Sequence, residues 1–387
     1  PRMEQLSRAL VALLALVAAA EAAAAADFDG GDDVLPFHYD RVFSFGDSLT
    51  DTGNAAILPA TAGGPFSRAP YGETYFHHPS GRASDGRLII DFIVESLGLP
   101  QPTPYLAGET AEDFRHGANF AVGGATALDP AFLKSKGVTT FVPVSLSNET
   151  TWLNNVFHLL ASSAYEQSNT NIMASSVVYF GEIGVNDYIF ALFSNRTAEL
   201  AVSLVPDIVA VTRSALTAVI AAGARSMVVT GMLPLGCEPE LLALFPGDAA
   251  DDYDRASGCI RRFNQLAQLH NRALNAMLRK LRRAHPGTTI LYADLYRPIA
   301  NLVASPGKYG FGNTPLAAFC GGGAGPYHFD MAAFCGTPDS TESSDPSEFL
   351  SWDGIHFTEA ANRFIARAML TGLYNASKLT EPHTALL

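Results

Sequence analysis

Short apolar runs bounded by glycine alternate along this chain with longer stretches of helical periodicity, and that alternation restricts the fold more than any other feature. Arg41–Gly46 (RVFSFG), Ser176–Gly181 (SVVYFG), Ser226–Gly231 (SMVVTG) and Thr288–Asp294 (TTILYAD) read as strands, with a shorter one at Asn119–Val122. Runs of this kind, lacking strict polar alternation, belong to strands buried on both faces. Between them, Leu88, Ile89, Phe92, Ile93 and Leu97 stand at helical spacing within residues 85–97. Further helices are predicted over Ala198–Ala222, much of Asp254–Ala284, and Glu359–Leu370. Strands separated by helices predict a parallel sheet covered on both faces, a three-layer α/β/α sandwich. No internal repeat and no Pro/Ser-rich linker cuts the pattern, so residues 41–380 are read as a single domain. Ligands of open parallel sheets bind beyond the carboxyl ends of the strands. The long connections 52–84, 101–118 and 301–350 would build a substrate cleft at that edge.

The first residues read as an address. Met3, the positive Arg8, an apolar stretch over residues 9–20 and the small-residue run EAAAAAD predict a signal peptide over residues 1–26. Its apolar core is shorter than the ~20 residues a membrane span needs. No later segment reads as long and apolar enough to span, so no stable membrane anchor is expected. An acidic linker follows over residues 27–40. The formal net charge is −13, and no run of basic residues is expected to form a local exception, which argues against a nucleic-acid partner. Cys237, Cys259, Cys320 and Cys335 form no Cys-x-x-Cys pair, so disulfides are preferred to zinc or redox use. Of the three possible pairings, Cys237–Cys259 with Cys320–Cys335 is favoured because each closes a modest loop. Asn148, Asn195 and Asn375 stand in glycosylation sequons, which agree with a secretory route without proving it.

The chemistry-bearing segments lie at strand ends. The stretch VFSFGDSLTDTGN runs a strand into Gly46-Asp47-Ser48 and presents the Ser48 hydroxyl at the functional edge. Alone, Ser48 is one turn serine among many. Near the other end stands Trp352-Asp353-Gly354-Ile355-His356. An aspartate three residues before a histidine can hold one imidazole nitrogen and leave the other free to take a hydroxyl proton. The same pair also fits a helix-capping aspartate and an incidental histidine. Gly123-Gly124-Ala125 and Gly184-Val185-Asn186-Asp187 offer donors for an oxyanion, or equally a close-packed glycine pair and a turn asparagine. Asp187 either supports Asn186 or caps a turn. His77-His78 lack a third ligand and read as loop residues, so no metal is expected. Gly321–Gly325 lacks the lysine of a phosphate loop and reads as a surface loop. Tyr71, Tyr75, Phe76 and Trp352 either line the cleft or pack in the core.

These four blocks, in this order, resemble the plant GDSL esterase/lipase family within the SGNH hydrolases. PYGETYFHHPSGRASDGRLIIDF from Pro70, NFAVGGATAL from Asn119 and MLPLGCEPE from Met232 are similar to the same family. The resemblance extends from Arg41 to about Tyr374. It implies a flavodoxin-like sandwich with five central parallel strands, and ester hydrolysis without metal or cofactor. It also implies a Ser48–His356–Asp353 triad, with Ser48, Gly124 and Asn186 as the oxyanion hole. The substrate is left open between a small molecule and a polysaccharide ester. With the secretory features, an apoplastic or Golgi-lumen enzyme deacetylating cell-wall polysaccharide of the acetyl-xylan type is the leading expectation. The alternatives are an acyltransferase, an esterase of lipids, phenolics or specialised metabolites, and a non-catalytic glycan-binding protein. Nothing in the sequence indicates an oligomeric state.

Overall fold

The computed structural model describes residues 39–161, 169–195 and 197–380. The expected signal peptide, and the linker up to residue 38, lie outside the described residues. Among the latter, strands β1 (Arg41–Phe45), β2 (Thr103–Pro104), β3 (Gly117–Asn119), β4 (Ser176–Phe180), β5 (Ser226–Thr230) and β6 (Thr289–Ala293) form one sheet in the order β2-β3-β1-β4-β5-β6. Every pairing is parallel. β1 is central, with Val42 opposite Gly117 on one side and Val177 on the other. Phe43 and Phe45 are fully buried, which explains why its sequence carries no polar alternation.

Five of these strands are those anticipated. The two-residue β2 adds an edge within a stretch read as loop. β3 lies slightly earlier than expected because Gly117, with φ +101°, brings its backbone so close to β1 that a Cβ would meet Val42 O at 1.8 Å. The chain after β3 still follows β1, through Phe120 N–H to Ser44 O (2.8 Å) and Val122 N–H to Gly46 O (3.2 Å). Without the edge strand the order is that of a flavodoxin-like sheet, and the direction of winding reverses between β1 and β4, where such folds place their ligands.

The longer helices are α1 (Ile89–Ser96), α2 (Leu146–Ala161), α3 (Val185–Asn195), α4 (Ala198–Ala221), α5 (Arg261–Ala284) and α6 (Glu359–Thr380). α4 packs against α2, α3 and α5, whereas α6 packs against α1 and β6. α2 was not anticipated, although Leu146, Leu153, Val156, Phe157 and Leu160 bury one helical face. α5 starts later than expected: the Asp254 carboxylate accepts from Ala256 and Ser257 N–H in a turn, and Cys259 is bonded to Cys237 just before the helix. A second disulfide joins Cys320 to Cys335, and Cys320–Gly321 pairs antiparallel with Thr341–Glu342.

Two sequence expectations fail. α4 is long and apolar enough, by length and composition, to cross a membrane. Its Leu204, Ile208, Leu216 and Val219 are instead buried in the protein core. The absence of a basic run is also wrong: the last turns of α5 carry RKLRR over residues 279–283, and the helix has no acidic residue. Arg272, Arg279 and Arg283, at spacings of seven and four, share one exposed face of it.

Candidate active site

Three of the loops that leave the carboxyl ends of the sheet meet the segment preceding α6. After β1, Gly46 N–H is held by the buried Glu149 carboxylate of α2 (2.9 Å). Asp47 Oδ1 accepts from Leu49 N–H (3.0 Å), which fixes the turn that lifts Ser48. Asp51 accepts from Gly53, Asn54 and Ala55 N–H, capping the short helix Asn54–Ile57, and from Gly123 N–H (2.8 Å). One carboxylate thus ties the loop after β1 to the loop after β3. Asp187, in the first turn of α3, does the same for the loop after β4 by accepting from Ala127 (2.7 Å) and Leu128 (2.9 Å) N–H. Burial pushes Asp187 up to about 7 against those backbone bonds.

The segment before α6 closes as a tight turn through Trp352 N–H to His356 O (2.7 Å). Asp353 Oδ1 accepts from the backbone N–H of Ile355 (3.0 Å) and His356 (2.8 Å). Its other oxygen, Oδ2, lies 2.7 Å from His356 Nδ1, and His356 Nε2 lies 2.9 Å from Ser48 Oγ. All three residues are buried, at 8 % exposure or less. Burial opposes charge on Asp353, yet the His356 charge, its hydrogen bond and further donors hold the carboxyl below its ordinary value. Burial would likewise lower His356, but the Asp353 charge and hydrogen bond, with Asp47 and Glu240 nearby, hold it above its ordinary value. An imidazole so placed can accept a hydroxyl proton at Nε2 while Nδ1–H stays on the carboxylate.

Gly124 has φ +83°, a conformation that favours glycine, and a Cβ there would also meet Val142 at 2.6 Å. Gly123 N–H is spent on Asp51, whereas neither Gly124 nor Ser48 N–H has a partner among the described residues. Asn186 Nδ2 donates to Ala125 O (2.9 Å) and, at greater length, to Asp47 Oδ2 (3.3 Å). Asp47 is pushed up to about 6 by burial, eased by Glu182, and the buried Glu182 beside it lies well above the carboxylate range.

A cleft of about 560 Å³ opens over Ser48, Gly124, Asn186 and His356. Its walls are mostly apolar, with Phe66, Phe141, Phe190, Phe193, Leu233 and Phe334. Phe66 meets the His356 ring edge to face at 5.4 Å. None of the four aromatics singled out in the sequence lines it. Tyr75 and Phe76 lie under the Arg87 and Arg82 guanidinium groups, and Trp352 stacks on Phe319 at 5.3 Å. Tyr71 is fully buried and donates from its hydroxyl to Asp353 Oδ2 (2.7 Å). Its partner lies 282 positions away, and no sequence pattern marked the pair.

Of the remaining candidates, His77 and His78 sit by backbone carbonyls of their own loop, Glu73 O and Pro79 O. Asn148 is exposed in the first turn of α2, its Oδ1 accepting from Ser145 N–H and hydroxyl. The side chains of Asn195 and Asn375 lie outside the described residues.

A parallel α/β sheet with a serine, histidine and carboxylate at its switch point is the framework of a serine ester hydrolase. Residues 42–369 match the family model of GDSL-like lipase/acylhydrolases, and the chain belongs to that family. Among curated proteins it is 40% identical to GDSL esterase/lipase At2g27360 of Arabidopsis thaliana, over 87% of this chain and 85% of that one. It is 41% identical to GDSL esterase/lipase At1g28640 of the same plant, over 87% and 86%. With GDSL esterase/lipase At5g45910 it shares 40% over 87% and 91%.

Proposed function

We propose that Ser48 is the nucleophile of this hydrolase, His356 its base and Asp353 the residue that orients the base. The observation carrying this reading is the unbroken chain of hydrogen bonds from Tyr71 through Asp353 and His356 to Ser48, at 2.7, 2.7 and 2.9 Å. His356 takes the Ser48 proton as Oγ attacks the ester carbonyl, and returns it to the departing alcohol. Water, activated by the same imidazole, then releases the acyl group. The Ser48 and Gly124 N–H groups and Asn186 Nδ2 receive the oxyanion. Asn186 is already oriented by Ala125 O, and its long bond to Asp47 is the one it gives up.

The aromatic cleft favours esters with an extended apolar acyl or alcohol group. An acetylated polysaccharide, the leading expectation from the sequence, suits such a lining less well. Across p-nitrophenyl esters from acetyl to octanoyl, kcat/KM is expected to rise at least ~10-fold, at roughly 0.8 kcal/mol for each methylene buried. A maximum at acetyl, with faster turnover of acetylated xylan than of any longer ester, would overturn this reading of the substrate. Secretion, with residues 1–26 as signal peptide and 41–380 as one domain, is part of the same proposal. The two disulfides support it, because such bonds persist in oxidising compartments.

Tyr71 acts through Asp353 as a positioning residue. The base must be neutral, so activity falls as pH drops through the His356 pKa, and the raised value places that midpoint above 6.5. Tyr71→Phe removes a donor that tempers the carboxylate. Asp353 then holds the imidazolium more strongly, and the acid limb of kcat/KM should move up by roughly 0.5–1 pH unit. A limb unmoved by the substitution would reduce Tyr71 to a packing residue, and a flat wild-type profile from about pH 5 to 8 would remove His356 as the base.

A further inference from the structure

The mostly apolar cleft has a second polar wall, whose side chains the mechanism above brings to no substrate atom. Glu238 and Glu240 both line it beside Ile355 and His356. Glu238 is only 7 % exposed, and its Oε2 has no hydrogen-bond partner among the described residues. A buried carboxyl oxygen left unpaired is costly, and a donor brought against it from the cleft would offset that cost. The wall is also rigidly placed. Cys237, immediately before Glu238, is bonded to Cys259, and Glu240 N–H donates to Gly354 O (3.0 Å) within the turn that carries His356.

Its position decides which half of an ester it meets. The oxyanion donors, Gly124 and Asn186, come from the loops after β3 and β4, whereas Glu238 and Glu240 stand on the His356 side. His356 delivers its proton to the leaving oxygen, so the alcohol half must occupy that side. We propose that Glu238, with Glu240, forms a subsite for a hydrogen-bond donor on the alcohol half of the ester, a hydroxyl or a protonated amine. This rests on the Ser48–His356 reading of the site. Burial raises both carboxyls, Glu240 to about 7, so at neutral pH the pair holds at least part of a proton. It thus serves a hydroxyl as donor or acceptor, and loses its proton to become a counter-charge for an ammonium group. A site built to pair such a group discriminates strongly against the analogue lacking it, because the protein group is then left unmatched.

The test uses three hexanoyl esters of equal chain length in the alcohol: a plain alkanol, the corresponding terminal diol, and the terminal dimethylamino alcohol. The readout is the ratio of kcat/KM for each functionalised ester to that for the plain one, which cancels any general loss of activity. In the wild-type protein at least one ratio should be about tenfold or more, the worth of one well-made buried hydrogen bond. Glu238→Leu should bring it to about one. Glu238→Gln, which keeps the shape and a hydrogen-bonding oxygen, should retain a diol preference and lose an amine preference, so the two variants together identify the donor. Wild-type ratios near one, or a preference that survives Glu238→Leu, would overturn the subsite. Failure of the nucleophile assignment is separate: it appears as turnover of the plain ester by Ser48→Ala, which these ratios do not read.

Discussion

Replacement of Ser48 by alanine is expected to lower kcat on a simple aryl ester by about 10⁴-fold or more, with little change in thermal stability. The side chain fills little space, and its hydroxyl pairs with His356 Nε2 at 2.9 Å. Removing it leaves Asp353 and His356 paired and the oxyanion donors in place, so the fold loses little. The reaction loses its acyl-enzyme, and water must attack without a covalent intermediate. Measurement of kcat together with labelling by a fluorophosphonate probe decides the matter. Most of the activity surviving in the alanine variant, or labelling that persists, would refute the assignment.

Asp353→Asn is expected to cost about 10⁴-fold in kcat while leaving substrate affinity nearly intact. Asp353 Oδ2 is an acceptor for two donors, the His356 Nδ1–H and the Tyr71 hydroxyl, and Oδ1 accepts two backbone N–H groups. An asparagine keeps Oδ1 as acceptor by turning its NH2 toward His356. That amide donates to Nδ1, the imidazole proton moves to Nε2, and the nitrogen facing Ser48 can no longer accept a proton. Comparing kcat with KM for this variant separates a lost base from a damaged cleft: a rise in KM with kcat preserved would mean that Asp353 only shapes the pocket.

How much of this was legible in the sequence depended on how local each interaction is. β1, β4 and β5 could be read because central parallel strands are apolar along their length, and β6, at the sheet edge, because it still keeps a short apolar run. Asp353 and His356 could be paired because they stand three positions apart and their bond closes within one turn. Ser48, Gly124 and Asn186 follow the neighbouring parallel strands β1, β3 and β4, so all three emerge at one edge of the sheet. Tyr71 could not be found this way, since its importance comes from a contact across 282 positions. The cleft walls were hidden for the same reason. Phe66 lies in, and Phe334 just after, a single 3₁₀ turn within a long connection, too short for any period to distinguish a lining residue from a packed one, and two of the aromatics that drew notice, Tyr75 and Phe76, are capped by arginines instead. The late start of α5 reflects a turn and a disulfide that helical periodicity does not register. The basic stripe was overlooked because net charge averages over the whole chain, while a helix gathers one face.

Ser48 and His356, the proposed nucleophile and its proposed base, stand 308 positions apart, with the histidine on the segment that enters α6. A ribosome therefore releases Ser48 long before the group that activates it. Until α6 settles on α1 and β6, the growing polypeptide carries only an ordinary alcohol, harmless to the esters of the cell that synthesises it. On the proposed reading of the site, the hydrolase is armed by the completion of its own folding.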